Sequence, residues 1–486
     1  MNVAPPVSHL FGSRVLDAAT RLLYLDAARK PLVYLLGRAL RVPRPGAARP
    51  PTGWDKIRGQ RRSIYLAVLH TLDRVIEQRV LAPHVARVIL ERWARALCPP
   101  RARQAAVGRF CDTYGTAPPW FLVISPTRAC NLACTGCYAA GGSEAAGSDA
   151  AHLPWDVLDR AMTEAKELWG VPLFVFSGGE PLAYRSQGKD LLDAVEKHGD
   201  CLYLMFTNGT LITDETARRL AALGNLTPAL SVEGLREPTD RRRGPGVYDR
   251  VLAAMARLRE AGVPFGISIT ATRSNAEHIL SDPLLDFFFC EQGAFYAFIF
   301  QYMPMGRAPD LDWMPSPEQR LAFWQRSWEV VRERHIFLLD FWNHGPLVEG
   351  CIAAGRERGY LHIDWNGKVM PCVFMPYAAA DLREVYAGGG TLNDVWATPF
   401  FRAVRQWQRD YGYGQPKLSR EGNWMQPCPF RDHFHTFSTW IERFQPEPEP
   451  GVACAALLTD PLRARMLACG IEQARLTQPI WEQEYF

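Results

Sequence analysis

The chain has 486 residues, of which 48% are hydrophobic and 22% charged, with 12 cysteines and a formal net charge of +4. That length exceeds what one compact core holds, so two or three domains are expected, and the composition is that of a globular protein. No run of eighteen apolar residues is free of charge, which argues against a spanning helix, and the N-terminus lacks the basic-then-apolar layout of a signal peptide.

The charge is uneven. Residues 1–117 hold 20 Lys/Arg and 7 Asp/Glu, a local net of +13 that leaves −9 on the remainder. Such asymmetry marks either a surface for phosphates, nucleic acid or anionic lipid, or an Arg-rich helical domain packed on an acidic remainder. This first section reads as helical: Val68, Leu69, Leu72, Val75 and Ile76 recur at three-to-four spacing, as do Val85, Val88, Ile89 and Trp93. Pro43, Pro45, Pro50 and Pro51 read as a linker between an early helical pair and these helices, Pro31 as a helix start, and Pro118-Pro119 as a boundary.

From Trp120 strand and helix alternate. Strands are expected at Phe121–Ser125, Leu173–Phe176, Leu202–Thr207, Ala229–Val232, Phe265–Thr270 and Ala297–Gln301. Helices are expected at Trp155–Trp169, Asp190–His198, Asp214–Leu223, Tyr248–Ala261 and Leu284–Gln292. Six such units predict an α/β fold, a partial (β/α)6 TIM-like barrel whose chemistry sits at the C-terminal strand ends. A helical N-terminal domain precedes it and a small Cys-rich C-terminal domain follows. The expected division is 1–117 basic and helical, 118–310 barrel, 311–340 connecting helix, 341–445 Cys-rich region and 446–486 tail. The run Gln445-Pro-Glu-Pro-Glu-Pro-Gly451 reads as a linker.

Cys130, Cys134 and Cys137 share one loop after the first strand, in SPTRACNLACTGCY. In a reducing compartment such thiols suit metal rather than disulfides. Three soft ligands can hold three irons of a cubane and leave the fourth open, whereas structural zinc prefers four closed ligands; a zinc loop is the alternative. Ser177-Gly178-Gly179-Glu180-Pro181 ends the second strand, Thr207-Asn208-Gly209-Thr210 the third and Ser231-Val232-Glu233-Gly234 the fourth. Each alone is also ordinary turn chemistry; glycines let a ligand approach the backbone, and Glu180 can accept from an ammonium group.

These motifs, over about residues 118–310, resemble the radical S-adenosylmethionine (SAM) superfamily. The resemblance implies a [4Fe–4S] cluster on Cys130, Cys134 and Cys137, with SAM on the open iron. It places Gly178, Gly179 and Glu180 along the methionine, and Asn208, Ser231 and Glu233 near ribose and methionine. It puts Arg243 near the SAM carboxylate, and Met303, within Tyr302–Gly306, near adenine. Many members carry an aromatic just before the third cysteine, where this chain has Gly136.

Farther on, Cys351 and Cys372 bracket a hairpin turning at Asn366-Gly367, and Cys428 and Cys454 follow. This resembles the SPASM or twitch region, without its dense cysteine run. It implies at most one auxiliary iron–sulfur cluster, on Cys351, Cys372 and Cys428, with Cys454 a weaker fourth. Buried structural cysteines or a zinc site are the alternative. Cys98, Cys111, Cys201 and Cys290 read as core packing, and His433 and His435 as surface residues or ligands.

The expected function is reductive SAM cleavage, the 5′-deoxyadenosyl radical modifying an unactivated carbon of a peptide, cofactor precursor or lipid. The alternative is a non-catalytic iron–sulfur electron-transfer or metal-binding protein. Expected partners are an electron donor such as flavodoxin or ferredoxin and a peptide or lipid substrate, with nucleic acid disfavoured. The expected location is cytoplasmic, peripheral to an anionic membrane if PLVYLLGRALRVP, with Arg38 and Arg41, lies on it. The phenylalanines of Leu284–Phe300 read as a barrel wall or an apolar substrate surface.

Overall fold

The computed structural model describes residues 13–41, 53–142, 151–415 and 418–486; the expected linker prolines at 43, 45, 50 and 51 lie outside them. Five helices open the chain: α1 (Ser13–Leu23), α2 (Asp26–Arg41), α3 (Gly53–Glu77), α4 (Pro83–Leu97) and α5 (Arg101–Tyr114). Val75, Ile76 and Val85 of the expected apolar stripes are buried, together with Ile57 and Phe110. Pro31 differs from expectation: it lies inside α2, which starts earlier with Asp26 in its first turn.

The barrel core continues with β1 (Phe121–Ile124), α6 (Trp155–Trp169), β2 (Leu173–Phe176), α7 (Leu191–Lys197), β3 (Leu202–Thr207) and α8 (Asp214–Leu223). Then come β4 (Leu226–Val232), α9 (Arg236–Arg243), α10 (Val247–Ala261), β5 (Gly266–Ala271), α11 (Asp282–Leu285) and β6 (Ala297–Gln301). The apolar runs of the strands are buried against the helices, as parallel sheets require. After α11 the backbone widens into a π-helical turn, Asp286–Glu291, which buries Phe288 and Phe289 and leaves Cys290 exposed.

The remainder supplies α12 (Pro317–Glu333), β7 (Leu338–Asp340), β8 (Tyr360–Ile363), β9 (Lys368–Met370), β10 (Ala380–Asp381), α13 (Leu382–Ala387) and α14 (Leu392–Trp396). It ends with α15 (Pro399–Asp410), α16 (Phe434–Phe444) and α17 (Leu462–Glu484). The main sheet has ten strands in the order β10-β9-β8-β1-β2-β3-β4-β5-β6-β7. The six expected parallel strands form its centre. Beyond them, β7 extends one edge from the stretch expected to be connecting helix, and β8 joins β1 in parallel, Phe121 opposite Tyr360. Residues 360–381 therefore complete the sheet.

The hairpin of β8 and β9 turns where expected. The Asp364 carboxylate accepts from Asn366 N (2.9 Å) and Lys368 N (2.8 Å), and Gly367 takes the left-handed conformation. The Gln445–Gly451 run is not a free linker: Glu447–Pro448 pairs with Tyr377–Ala378, and Glu449 N donates to Pro376 O at 2.9 Å.

Candidate functional site

Every motif at the strand ends converges on the cysteine loop. The loop leaves β1 at Ser125 and is pinned by bridges between Thr127 and His152 and between Ala129 and Gly142. From the end of β2, Gly179 N donates to Thr127 O and Glu180 N to Ala129 O, both at 2.8 Å. A Cβ on Gly179 would stand 2.4 Å from Ala129 O, so the glycine is required for main chain to meet main chain. The close approach is to the cysteine loop itself, where the sequence suggested a ligand. Tyr138 Oη bonds Ser177 Oγ at 2.5 Å and accepts from Gly178 N at 3.1 Å.

The three thiols are half-buried and unpaired by disulfides. Burial pushes Cys130 up to about 12, and Glu180, Cys134 and Cys137 add to the shift. Cys134 is raised by burial and by Cys137, against the pull of Arg243. Thiols that oppose one another's ionisation are stabilised as thiolates by a cation among them. No three donors among the described residues are grouped for a single ion. A cubane, which gives each thiolate its own iron, asks for wider spacing.

Glu180 is fully buried and turned toward β3: its carboxylate accepts from Thr207 Oγ1 (2.7 Å), Asn208 N (2.8 Å) and Leu182 N (3.2 Å). Burial raises its pKa. Asn208 donates to Asn131 Oδ1 at 2.9 Å and to Cys130 Sγ at 3.7 Å, joining the third strand end to the triad. Ser231 lies half-buried at the end of β4 beside Ser268. Glu233, buried immediately after the strand, accepts from Arg242 and from Arg243 Nε at 2.9 Å and Nη2 at 2.5 Å. Arg243 is largely but not fully buried; that burial opposes its charge, while Glu233 and the nearby Cys134 and Cys137 favour it.

Met303 is buried in the segment after β6. There Gly306 is left-handed and a Cβ would stand 2.1 Å from Cys137 O, so this segment too lies against the cysteine loop. Arg307, which the sequence did not single out, fastens the loop from here. Its backbone N donates to Cys137 O (2.9 Å), and its guanidinium donates to Cys134 O (3.1 Å) and Gly141 O. Gly136 is left-handed, and a Cβ there would meet the rings of Tyr302 at 2.9 Å and Trp313 at 3.3 Å. Aromatic bulk beside the third cysteine thus comes from another part of the chain; only a three-dimensional contact reveals Trp313.

A second site lies deeper. Cys351, Cys372 and Cys428 are buried and line one cavity with Phe341, Trp342 and Phe374. Burial pushes Cys372 up to about 12 and Cys428 up to about 11, and raises Cys351. The sulfurs have neutral partners: Tyr360 Oη lies 2.9 Å from Cys372 Sγ, and Gln408 Nε2 donates to Cys351 Sγ at 3.3 Å. Cys428 is positioned by Asp432, which accepts from its backbone N (3.1 Å) and from Arg320 (2.8 Å). Buried Arg431 lies over Trp342 and donates to Gln301 at the end of β6. Phe374 also faces Tyr138, with 5.8 Å between ring centroids, and so stands between the two cysteine sites.

Cys454 does not line this cavity and lies half-buried elsewhere. His433 bonds Gln426 O at 2.9 Å and packs on Tyr411, and His435 is exposed. Of the cysteines expected in the core, Cys201 is buried and Cys111 half-buried, but Cys98 and Cys290 are exposed. Cys98 caps α4 beyond its apolar face, and Cys290 points outward from the π turn.

Residues 124–280 match the family model described as the radical SAM superfamily, and residues 351–431 match SPASM, an iron–sulfur cluster-binding domain. An AdoMet-dependent heme synthase of Nitratidesulfovibrio vulgaris is 34% identical over 320 residues, covering 59% of this chain and 80% of that protein. One from Methanosarcina barkeri is 28% identical over 320 residues, covering 60% and 86%. The mycofactocin maturase of Mycobacterium tuberculosis is 29% identical over 303 residues, covering 60% and 74%. The chain belongs to the radical SAM superfamily, as an enzyme with a SPASM region whose cofactors are a [4Fe–4S] cluster, SAM and auxiliary iron–sulfur.

Proposed function

We propose that Cys130, Cys134 and Cys137 hold the SAM-binding cluster, and that the enzyme modifies an unactivated carbon of a peptide or cofactor precursor. The observation that carries the reading is the convergence of four strand ends on one loop of three mutually interacting thiols. Held by these residues, the cluster and SAM would supply one-electron chemistry able to abstract a hydrogen atom from carbon. The chain's part is to bind, orient and exclude water. Gly178, Gly179 and Glu180 hold the loop; Asn208, Ser231 and Met303 surround the cosubstrate; Arg243, balanced by Glu233, presents positive charge to its carboxylate. The SPASM thiols Cys351, Cys372 and Cys428 hold the auxiliary cluster: their donor set is soft, buried and supplied with N–H and O–H partners. The substrate class is supported by the relatives, which include a maturase and heme synthases.

The test is anaerobic reconstitution with SAM and dithionite, or a reduced flavodoxin or ferredoxin, followed by chromatography for 5′-deoxyadenosine. Wild type forms it and Cys134→Ala does not. Zinc in place of iron and sulfide in anaerobically purified protein would overturn the assignment.

A lipid substrate is the second reading, with peripheral contact to an anionic membrane. It is favoured by the exposure of Tyr34 (67%) and Leu35 (59%) on α2, alongside Leu25 (57%). Among the described residues no helix is long and apolar enough to cross a membrane. Failure of the whole protein to float with phosphatidylglycerol vesicles would end this reading.

A further inference from the structure

A broad groove of about 1550 Å³ lies away from the cysteine loop, between α3 and α5 on one side and α15 and α16 on the other. It exceeds the roughly 300–1,000 Å³ of ordinary small-molecule sites, so its shape suits an extended segment. Its charge is one-sided. The acids in its lining are Glu349 and Glu357, and Glu349 is taken by Arg61 at 2.8 Å. Facing them, α15 presents Arg402, Arg405 and Arg409 on one side of the helix, and Arg443 comes from α16.

These four arginines have no carboxylate partner among the described residues. Arg402 donates to Ala397 O, Arg409 to Gln406 Oε1, and Arg443 lies over the Phe444 ring. Arg405 is buried on Trp396 and bonds the carbonyls of Ala354 and Trp396, both at 2.8 Å. Burial and the charges of Arg409 and Arg402 push its pKa down to about 9. Packing accounts for Arg405, but the exposed Arg402 and Arg409 add like charges to the same helix face, which opposes folding unless a partner neutralises them. Guanidinium groups match carboxylates in a planar, two-bonded geometry. The groove also adjoins the second cysteine site, because Val348 and Ile352 line both.

We propose that this groove binds an acidic segment of a peptide substrate, its carboxylates paired by Arg402, Arg409 and Arg443. The inference rests on the peptide reading of the substrate class and adds where and by what charge the peptide is held. Arg405 stays on Trp396 and supplies field rather than direct contact.

The experiment uses the full-length, anaerobically reconstituted enzyme. The probe is a fluorescein-labelled peptide of about ten residues alternating Glu and Gly, followed by anisotropy. Wild type binds it, and raising salt from about 50 to about 300 mM weakens binding at least about tenfold. Arg402→Glu/Arg409→Glu weakens it by a similar factor, whereas Arg402→Lys/Arg409→Lys keeps most of it. Formation of 5′-deoxyadenosine without substrate is the same in wild type and both variants. That readout separates the two proposals: its loss in wild type with peptide binding intact would strike the catalytic reading and leave the groove standing. Equal binding by wild type and the Glu variant would overturn the groove. So would equal affinity for a Lys/Gly peptide, or tighter binding of a single-stranded oligonucleotide or phosphatidylglycerol vesicles.

Discussion

Replacing Gly179 with alanine tests whether main-chain contact between the β2 turn and the cysteine loop sets the position of the triad. The new Cβ would stand 2.4 Å from Ala129 O and 2.5 Å from Arg128 O, where ordinary contact begins at 3.4 Å. Both obstacles are backbone, so no side chain can rotate aside, and the loop must retreat by about 1 Å. That retreat strains the bond from Glu180 N to Ala129 O and moves Cys130, the next residue. Forced overpacking of this kind costs about 1–3 kcal/mol. A displacement of about 1 Å at the reacting centre lowers rate by about 10²-fold. The assay is 5′-deoxyadenosine formation by anaerobically reconstituted enzyme, with urea denaturation of the same preparation. Gly59→Ala is the control, because nothing lies within 4 Å of its Cβ and it sits in α3. If Gly179→Ala matched wild type in both rate and midpoint, this main-chain contact would not set the position of the loop.

Glu233→Gln removes the counter-charge of two arginines held in a largely buried setting, and is expected to cost about 3–5 kcal/mol by chemical denaturation; a loss under about 1 kcal/mol would show that Arg242 and Arg243 find other partners. Cys428→Ala is expected to lower iron by about four atoms per chain while the signal of the SAM-bound cluster persists in electron paramagnetic resonance; unchanged iron content would remove Cys428 from the ligand set. Burial, with Asp364 nearby, pushes Glu449 up to about 8 from an ordinary 4.5. The unfolded chain then releases this proton before the folded one, so its contribution falls as pH rises from about 4.5 to about 8. Glu449→Gln should flatten that part of a stability-against-pH curve and raise the midpoint at pH 8; an unchanged slope would mean that this carboxyl is solvated.

Much of the architecture is legible because its signals are local. The strands and helices of 121–301 follow from apolar runs and three-to-four periodicity, and three of the six strands match to the residue. The cysteine spacing and the glycine turn are equally local: Cys130, Cys134 and Cys137 lie on one loop by covalent connection. The same holds for the Asn366-Gly367 turn, where the carboxylate of Asp364 and a glycine free to adopt positive φ stand three positions apart.

Contacts between distant segments carry no such mark. That β8 pairs with β1 across more than two hundred residues is set by which buried edge it can satisfy, and nothing in YLHI names Phe121 as its partner. The same reason hides Arg307 and Trp313, which matter through what they meet, and places Cys454 away from the cysteines it resembles in sequence. The Pro-Glu run at 445–451 reads as a linker by composition, yet a carbonyl at Pro376 and a lysine at 368 draw it onto the structure. Periodicity and covalent proximity fix what lies along the chain; the pairing of backbone groups, charges and rings across the fold depends on packing that no short stretch encodes.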